Sequence, residues 1–339
     1  MPESKSLTVG KLGESGLLAR ILPRLQGSEA LVGPGDDAAL IAAPNGSFVF
    51  TVDTLVENQD FRLRWPSGFE SSGFDVGWKS AAQNLSDINA MGAYATAAVI
   101  SLTLPHGTPV QWVEDLADGF SAAVYELGAT RCAIAGGDLG RGSELSITAA
   151  VTGALATEKP VLRSGAKPGD IVAVNGVLGV AAAGLALLGS SISVETWSKE
   201  QHELVLGQRR PRPPLEAGPM AARSGASSMM DISDGLFKDA KRLAISSDVE
   251  IEIHQETLSE NIELLIPFAR LLGVDPLNWV ISGGEDHGLL ATFPPRAPLP
   301  EGFRAVGIVR TADTSESKER VSLDGANLSI SAGFDHFGD

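Results

Sequence analysis

The chain has one cysteine, Cys132, in 339 residues. A single thiol excludes an internal disulfide and a thiolate zinc site, and it suits a reducing cytoplasm. Cys132 lies in the apolar run Cys132-Ala-Ile-Ala135, where a small buried hydrophobe is expected. Histidine is also scarce: residues 106, 202, 254, 287 and 336 match no metal-ligand spacing. His106 follows Pro105 and is expected to be exposed in a turn. There is no Gly-x-Ser-x-Gly elbow and no Gly-x-x-x-x-Gly-Lys-Ser/Thr loop, which excludes a serine elbow and a P-loop. Basic charge is short, with 26 Lys and Arg against 42 Asp and Glu and a formal net charge of −16. No sustained basic stripe offsets it, which argues against a nucleic-acid partner. The first ten residues lack the apolar core of a signal peptide. Ile171 to Val194 is uncharged, but Asn175, Gly176 and Gly179 interrupt it. It reads as a strand, a turn and a buried helix over Val180–Leu188, not a membrane span.

Carboxylates beside glycines are plentiful. Gly33-Pro-Gly-Asp-Asp-Ala-Ala-Leu40 is followed by the strand-like Phe48-Val-Phe-Thr-Val-Asp53. Related arrangements recur at Asn84-Leu-Ser-Asp87, Gly136-Gly-Asp138, Asp231-Ile-Ser-Asp234 and Gly283-Gly-Glu-Asp286. With so little histidine and cysteine, they suggest oxygen ligands for magnesium and backbone amides for phosphate. An Asp beside Gly is, taken alone, more often a turn or helix cap, but five such sites in one chain point beyond that. Asp37 reads as such a cap, and for Asp234, which precedes a helix, capping competes with metal binding. Arg163 suits either a phosphate or a surface salt bridge. Gly33-Pro-Gly35 leads into strands rather than a helix, unlike a dinucleotide loop.

The apolar fraction of 43% is that of a globular protein, and the length favours two domains. Helices are expected over Lys11–Leu25, Val76–Met91 and Val110–Leu127, the last two stopping at Gly92 and Gly128. Strands are expected at Ala39–Ala42, Phe48–Val52, Thr96–Leu104, Arg131–Ala135 and Leu145–Leu155. The mixture favours α+β for this half. The pattern resets near Thr157-Glu-Lys-Pro160, which sets domains of 1–157 and 158–339. The second half reads as strands at Ile171–Val174, Val249–Ile253, Trp279–Ile281, Leu289–Phe293 and Ala305–Val309. Helices are expected over Leu215–Arg223, Gly235–Ile245 and Asn261–Leu272, with a basic connector at Arg209–Pro214 and a charged loop at 311–320.

This composition fits phosphoryl transfer without a strong base. A phosphate acceptor has a second pKa near about 6 and is already ionised. Bringing two anions together is harder: at about 4 Å and an effective dielectric of roughly 20, each pair of unit charges repels by about 4 kcal/mol. Several magnesium ions would remove that barrier.

The ordered series GPGDDAAL, TVDTLVENQDF, WKSAAQNLSDINAMGA, AGGDLGRG, RSGAKPGD, DISDGL, SGGEDHGLL and GFDHF resembles the thiamine-monophosphate kinase family from about residue 12 to 337. The resemblance implies an N-terminal mixed sheet with helices that pairs across a homodimer. It also implies a C-terminal α/β domain of the aminoimidazole ribonucleotide synthetase type, completing the nucleotide and substrate sites. ATP would donate its γ-phosphoryl to thiamine monophosphate, with several magnesium ions and no acid–base residue. By the same resemblance the metal positions are Asp36, Thr51, Val52, Asp53, Asp87, Asp138, Asp231 and Asp234. The ATP contacts are Gly137, Asp138, Arg163 and Ser233, and the thiamine-phosphate contacts are Asp60, Glu285 and Phe334. Three positions depart from the usual pattern. Val52 replaces a threonine, so a metal contact there must come from its carbonyl. Asp60 stands where histidine is common, and Phe334 lacks the polar tip of the usual aromatic. The alternatives are another ATP-dependent synthetase of the superfamily and a non-catalytic nucleotide- or metal-sensing module.

Overall fold

The structure, a computed structural model, describes residues 8–12, 17, 20–24, 46–312 and 320–326. Asp36, Asp37, Phe334 and the expected strand at 39–42 lie outside the described residues, as does much of the expected opening helix. Of that helix, Leu17 and Ile21 are described and buried. The chain divides into two compact units, Met1–Ile88 with Tyr94–Ala154, and Asn89–Ala93 with Leu155–Asp339.

The first unit is built on a four-stranded sheet of β1 (Val49–Val56), β2 (Ala93–Leu104), β3 (Ala133–Arg141) and β4 (Ser146–Leu155), in the order β1-β4-β2-β3. β1 pairs antiparallel with β4 and β2 pairs parallel with β3, so the sheet is mixed. β1 alternates along its length: Phe50 and Val52 are exposed, whereas Thr51 and Asp53 are half-buried and Leu55 is buried. That period of two fixes which face each acid or hydroxyl can serve. The longer helices are α1 (Gly73–Ala90) and α2 (Val110–Glu126). They meet backbone to backbone. A Cβ on Gly77 would stand 2.0 Å from the Leu116 carbonyl oxygen, and one on Gly119 2.0 Å from that of Phe74. Only glycine allows this approach. Cys132 is buried, and burial pushes its thiol up to about 12, the inert behaviour its apolar run suggested. His106 is exposed as expected. β3 does not end before Gly136 as the glycines suggested; it runs through Gly136-Gly-Asp138. Gly137 lies opposite Ile100, close enough that a Cβ would stand 1.8 Å from the Ile100 carbonyl oxygen.

The second unit has a six-stranded sheet: β5 (Ile171–Asn175), β6 (Ser228–Ile232), β7 (Val249–Ile253), β8 (Gly288–Phe293), β9 (Phe303–Thr311) and β10 (Val321–Leu323). The order is β10-β7-β9-β5-β8-β6, antiparallel throughout except for the β10/β7 pair. β6 and β8 are buried along their whole length, as expected of strands covered on both faces. The helices are α3 (Val180–Leu188), α4 (Lys199–Arg209), α5 (Ala217–Arg223), α6 (Leu236–Ser247), α7 (Ser259–Leu272) and α8 (Pro276–Ser282). No helix among the described residues is long and apolar enough to cross a membrane.

A second sequence expectation is corrected. Trp279–Ile281, read as a strand, lies inside α8. Asp275 accepts a bond from the Leu277 N–H at 3.0 Å and Pro276 occupies the first turn, so a cap and a preset φ override the local β propensity.

The N-terminus of α3 is closed from a distant segment. The Asp286 carboxylate accepts bonds from the N–H groups of Gly179 and, at 2.8 Å, Ala181. Burial pushes this carboxyl up to about 7 despite those two bonds. The folded chain therefore holds the proton more tightly than the unfolded chain, in which aspartate titrates near about 3.9. This contribution to stability is fully present below about pH 4 and is lost as pH rises through about 7. Denaturant unfolding across about pH 5 to 8 should show a steeper loss of stability for the parent chain than for Asp286→Asn. Identical slopes would contradict the assignment.

Candidate functional site

Each unit carries its own set of predicted site residues. In the first, Thr51 Oγ1 on β1 donates to Asp87 Oδ2 on α1 at 2.6 Å, which orients one carboxylate from the strand. Asp53 is two residues further along the same half-buried face, opposite the small Ala149. The structure thus places Thr51, Asp53 and Asp87 on elements joined by a hydrogen bond, and Val52 points to the other face, exposed. Asp138 and Gly137 are exposed within β3, so the glycine amides belong to an edge strand rather than a loop.

Asp60 serves the backbone. Its Oδ2 accepts from the Val56 N–H at 2.8 Å, and its carbonyl accepts from Lys79 Nζ at 3.0 Å. The carboxylate thereby closes the turn after β1, a use that histidine at this position could not copy in the same way.

In the second unit the site is assembled by strand pairing. β6 and β8 are antiparallel neighbours, with Asp231 opposite Leu289 and Ile232 opposite Gly288. Residues 231–235 and 283–287, about fifty positions apart in sequence, therefore leave the sheet at one end. The Glu285 N–H donates to the Ser233 carbonyl at 2.8 Å and the His287 N–H to that of Ile232 at 3.0 Å. Glu285 and His287 both have left-handed φ, 68° and 52°. Such conformations cost about 1–3 kcal/mol each and persist where surrounding bonds over-determine them, commonly at functional sites. Glu285 Oε2 accepts from Gln208 Nε2 at 2.9 Å, and the His287 ring faces Asp231 at 3.5 Å.

Asp234 settles its earlier ambiguity in part. Gly235 stands at the start of α6 and no side chain caps that end, so Asp234 is not a cap. Its carboxylate is held by Arg242 at 2.6 Å and Lys238 at 3.2 Å. A metal ion at Asp234 has to share or displace these two cations. Behind it, the buried Asp239 accepts from the Asp234 N–H at 2.9 Å and from Arg242 at 2.8 Å. Burial pushes Asp239 up to about 7, with the backbone bond and Arg242 opposing and the Asp231 and Asp234 charges adding. Asp239, Arg242 and Gln208 were not singled out from sequence, and Asp286, singled out in the Gly283–Asp286 motif, binds backbone N–H groups instead. The Asp239/Arg242 pair had a legible signal, opposite charges at i and i+3 on an amphipathic helix. Arg163 is exposed.

Among the described residues no three acidic, histidine or cysteine side chains gather into a closed metal cage. The donors present are carboxylates and a hydroxyl, which fit magnesium, a hard ion that keeps several waters and shares substrate oxygens. Asp53 and Asp87 are half-buried in the first unit, and Asp231 is buried beside His287 in the second.

Two family models match the chain: AIR synthase related protein, N-terminal domain, over residues 35–155, and AIR synthase related protein, C-terminal domain, over residues 167–299. Thiamine-monophosphate kinase of Mycobacterium tuberculosis is 39% identical over 337 residues, 99% of this chain and 95% of that protein. The Corynebacterium glutamicum thiamine-monophosphate kinase is 36% identical over 97% of this chain and 95% of its own length. The crystal structure of thiamine monophosphate kinase from Aquifex aeolicus superposes with a TM-score of 0.73 at 30% identity, covering 95% of this chain and 99% of that one. A structure of AaThiL complexed with AMPPCP and TMP superposes with a TM-score of 0.76 at 31% identity, covering 98% and 99%. The fold and the full-length similarity agree: the chain belongs to the thiamine-monophosphate kinase family.

Proposed function

We propose that this chain transfers the γ-phosphoryl of ATP to thiamine monophosphate, giving thiamine diphosphate and ADP in one in-line step. The observation that carries the reading is the match along 99% of the chain to a thiamine-monophosphate kinase, supported by a related structure holding AMPPCP, an ATP analogue, with TMP.

The chemistry asks little of acids and bases. The acceptor phosphate is ionised near neutrality, so no side chain needs to remove a proton before attack. Asp53, Asp87 and Asp138, with Asp36, Thr51, the Val52 carbonyl, Asp231 and Asp234, are the residues proposed to hold magnesium. When bound, magnesium neutralises phosphate charge and orients the phosphoryl group. Thr51 keeps Asp87 turned for that task. Arg163 adds a fixed positive charge for ATP phosphate, and the Gly137, Asp138 and Ser233 positions complete the proposed nucleotide contacts. Glu285, steadied by Gln208, offers a negative charge suited to the cationic ring of thiamine. Asp60 and Phe334 remain the other proposed substrate contacts.

A homodimer belongs to the same proposal. Phe50 and Val52 are 62% and 53% exposed on one face of β1, and the Thr54–Thr148 hydroxyl contact at 2.9 Å continues that face onto β4. An apolar face of this kind suits a second copy. A cytoplasmic location fits the reduced thiol and the use of ATP. Light scattering should read twice the mass of one chain; the mass of one chain would overturn the dimer.

Purified protein with MgATP should release ADP only when thiamine monophosphate is present, with an equal amount of thiamine diphosphate by chromatography. ADP formation without that product would move the reading to another acceptor. Asp53→Asn should lower turnover by at least about a hundredfold, the scale on which mispositioned phosphoryl groups lose rate, with an unchanged unfolding midpoint. Near-normal turnover would remove Asp53 from the metal set.

A further inference from the structure

Arg163 stands at the start of a loop, 163–170, that precedes β5, and a side chain from another element shapes that loop. Ser247 is the last residue of α6. Its hydroxyl accepts from the N–H groups of Gly165 and Ala166, both at 3.1 Å, and donates to the Arg163 carbonyl at 2.9 Å. One donor and two lone pairs are the whole capacity of a serine hydroxyl, and all three are used on this one turn. The turn is tight against the sheet. Gly165 has φ 134°, and a Cβ there would stand 2.3 Å from the Ser227 carbonyl oxygen. The far end of the loop is fixed separately by Asp170, buried at 4% exposure. Its carboxylate accepts from the Lys167 N–H at 2.9 Å and from Ser227 Oγ at 2.6 Å. The backbone is thus pinned at both ends while the Arg163 side chain stays exposed. The same helix begins at Leu236, directly after the Asp231–Asp234 segment, and spans about 18 Å. One rigid element therefore carries acidic residues at its start and the anchor of Arg163 at its end.

We propose that Ser247 is a positioning residue for nucleotide binding: its hydroxyl presets the turn that presents Arg163 to the ATP phosphates. The inference rests on the reading of Arg163 as an ATP contact. A turn already set at Arg163 leaves less backbone freedom to lose when the phosphate arrives, so the benefit falls on ATP affinity. Thiamine-phosphate binding and the rate of the bound complex depend on other residues.

The test combines steady-state kinetics with calorimetric titration of AMPPCP and magnesium. Ser247→Ala should raise KM for ATP and weaken AMPPCP binding about tenfold, with kcat and KM for thiamine monophosphate within about twofold. Ser247→Thr keeps the hydroxyl and should restore both values. Arg163→Met should weaken ATP binding at least as much, and the double variant should be no weaker than Arg163→Met alone. Unchanged ATP binding in Ser247→Ala beside a weakened Arg163→Met would overturn the positioning role. So would additive losses, or a fall in kcat and thermal midpoint with no change in KM for ATP. Unchanged ATP binding in Arg163→Met would instead overturn the reading of Arg163 itself.

Discussion

Repulsion between anions is the condition on which this structure depends. A phosphate donor and a phosphate acceptor must meet on a protein that itself carries a net charge of −16. Each pair of unit charges at about 4 Å opposes that meeting by about 4 kcal/mol at an effective dielectric near 20. In the proposed mechanism the chain meets the problem with oxygen donors and placed cations rather than with bases. Thr51 orients Asp87, Arg163 stands exposed, and Asp234 is held by Lys238 and Arg242. The last arrangement neutralises the Asp234 carboxylate with two side-chain cations.

Position comes from pairing rather than from local sequence. β6 and β8 bring the Asp231–Asp234 and Gly283–His287 segments to one end of the sheet, where backbone bonds from Glu285 and His287 lock them together. The left-handed φ of those two residues is tolerated because neighbours fix it: Gln208 holds the Glu285 side chain, and Asp286 is anchored on α3. Asp239 and Ser247, both on α6, extend the same logic, each spending its side chain on another segment's backbone.

Local pattern made much of the fold legible. The Val180–Leu188 helix and the Val249–Ile253 strand fall where composition and periodicity put them. Trp279 and the β-branched Val280 and Ile281 favour a strand locally, and the Asp275-Pro276 start signal overrides them. Helix α4 passed unnoticed although Ser198 and Gln201 form a capping box, because its apolar residues are few. β6 was missed because five residues including two methionines give no periodicity, and its strand character comes from burial between neighbours. In the site, the acidic motifs were visible, but Gln208, Asp239 and Ser247 were not. Gln208 and Ser247 meet partners far along the chain, Glu285 at a separation of 77 and Gly165 at 82, whereas Asp239 meets Asp234 and Arg242 close by and lacked only a motif to mark it.

The most direct test of transfer without a covalent enzyme intermediate is the stereochemical course at phosphorus. ATP made chiral at the γ-phosphorus with oxygen isotopes is turned over with thiamine monophosphate, and the configuration of the terminal phosphoryl of thiamine diphosphate is read. A single in-line displacement predicts inversion. Retention would mean two displacements through a side-chain nucleophile and would contradict the account.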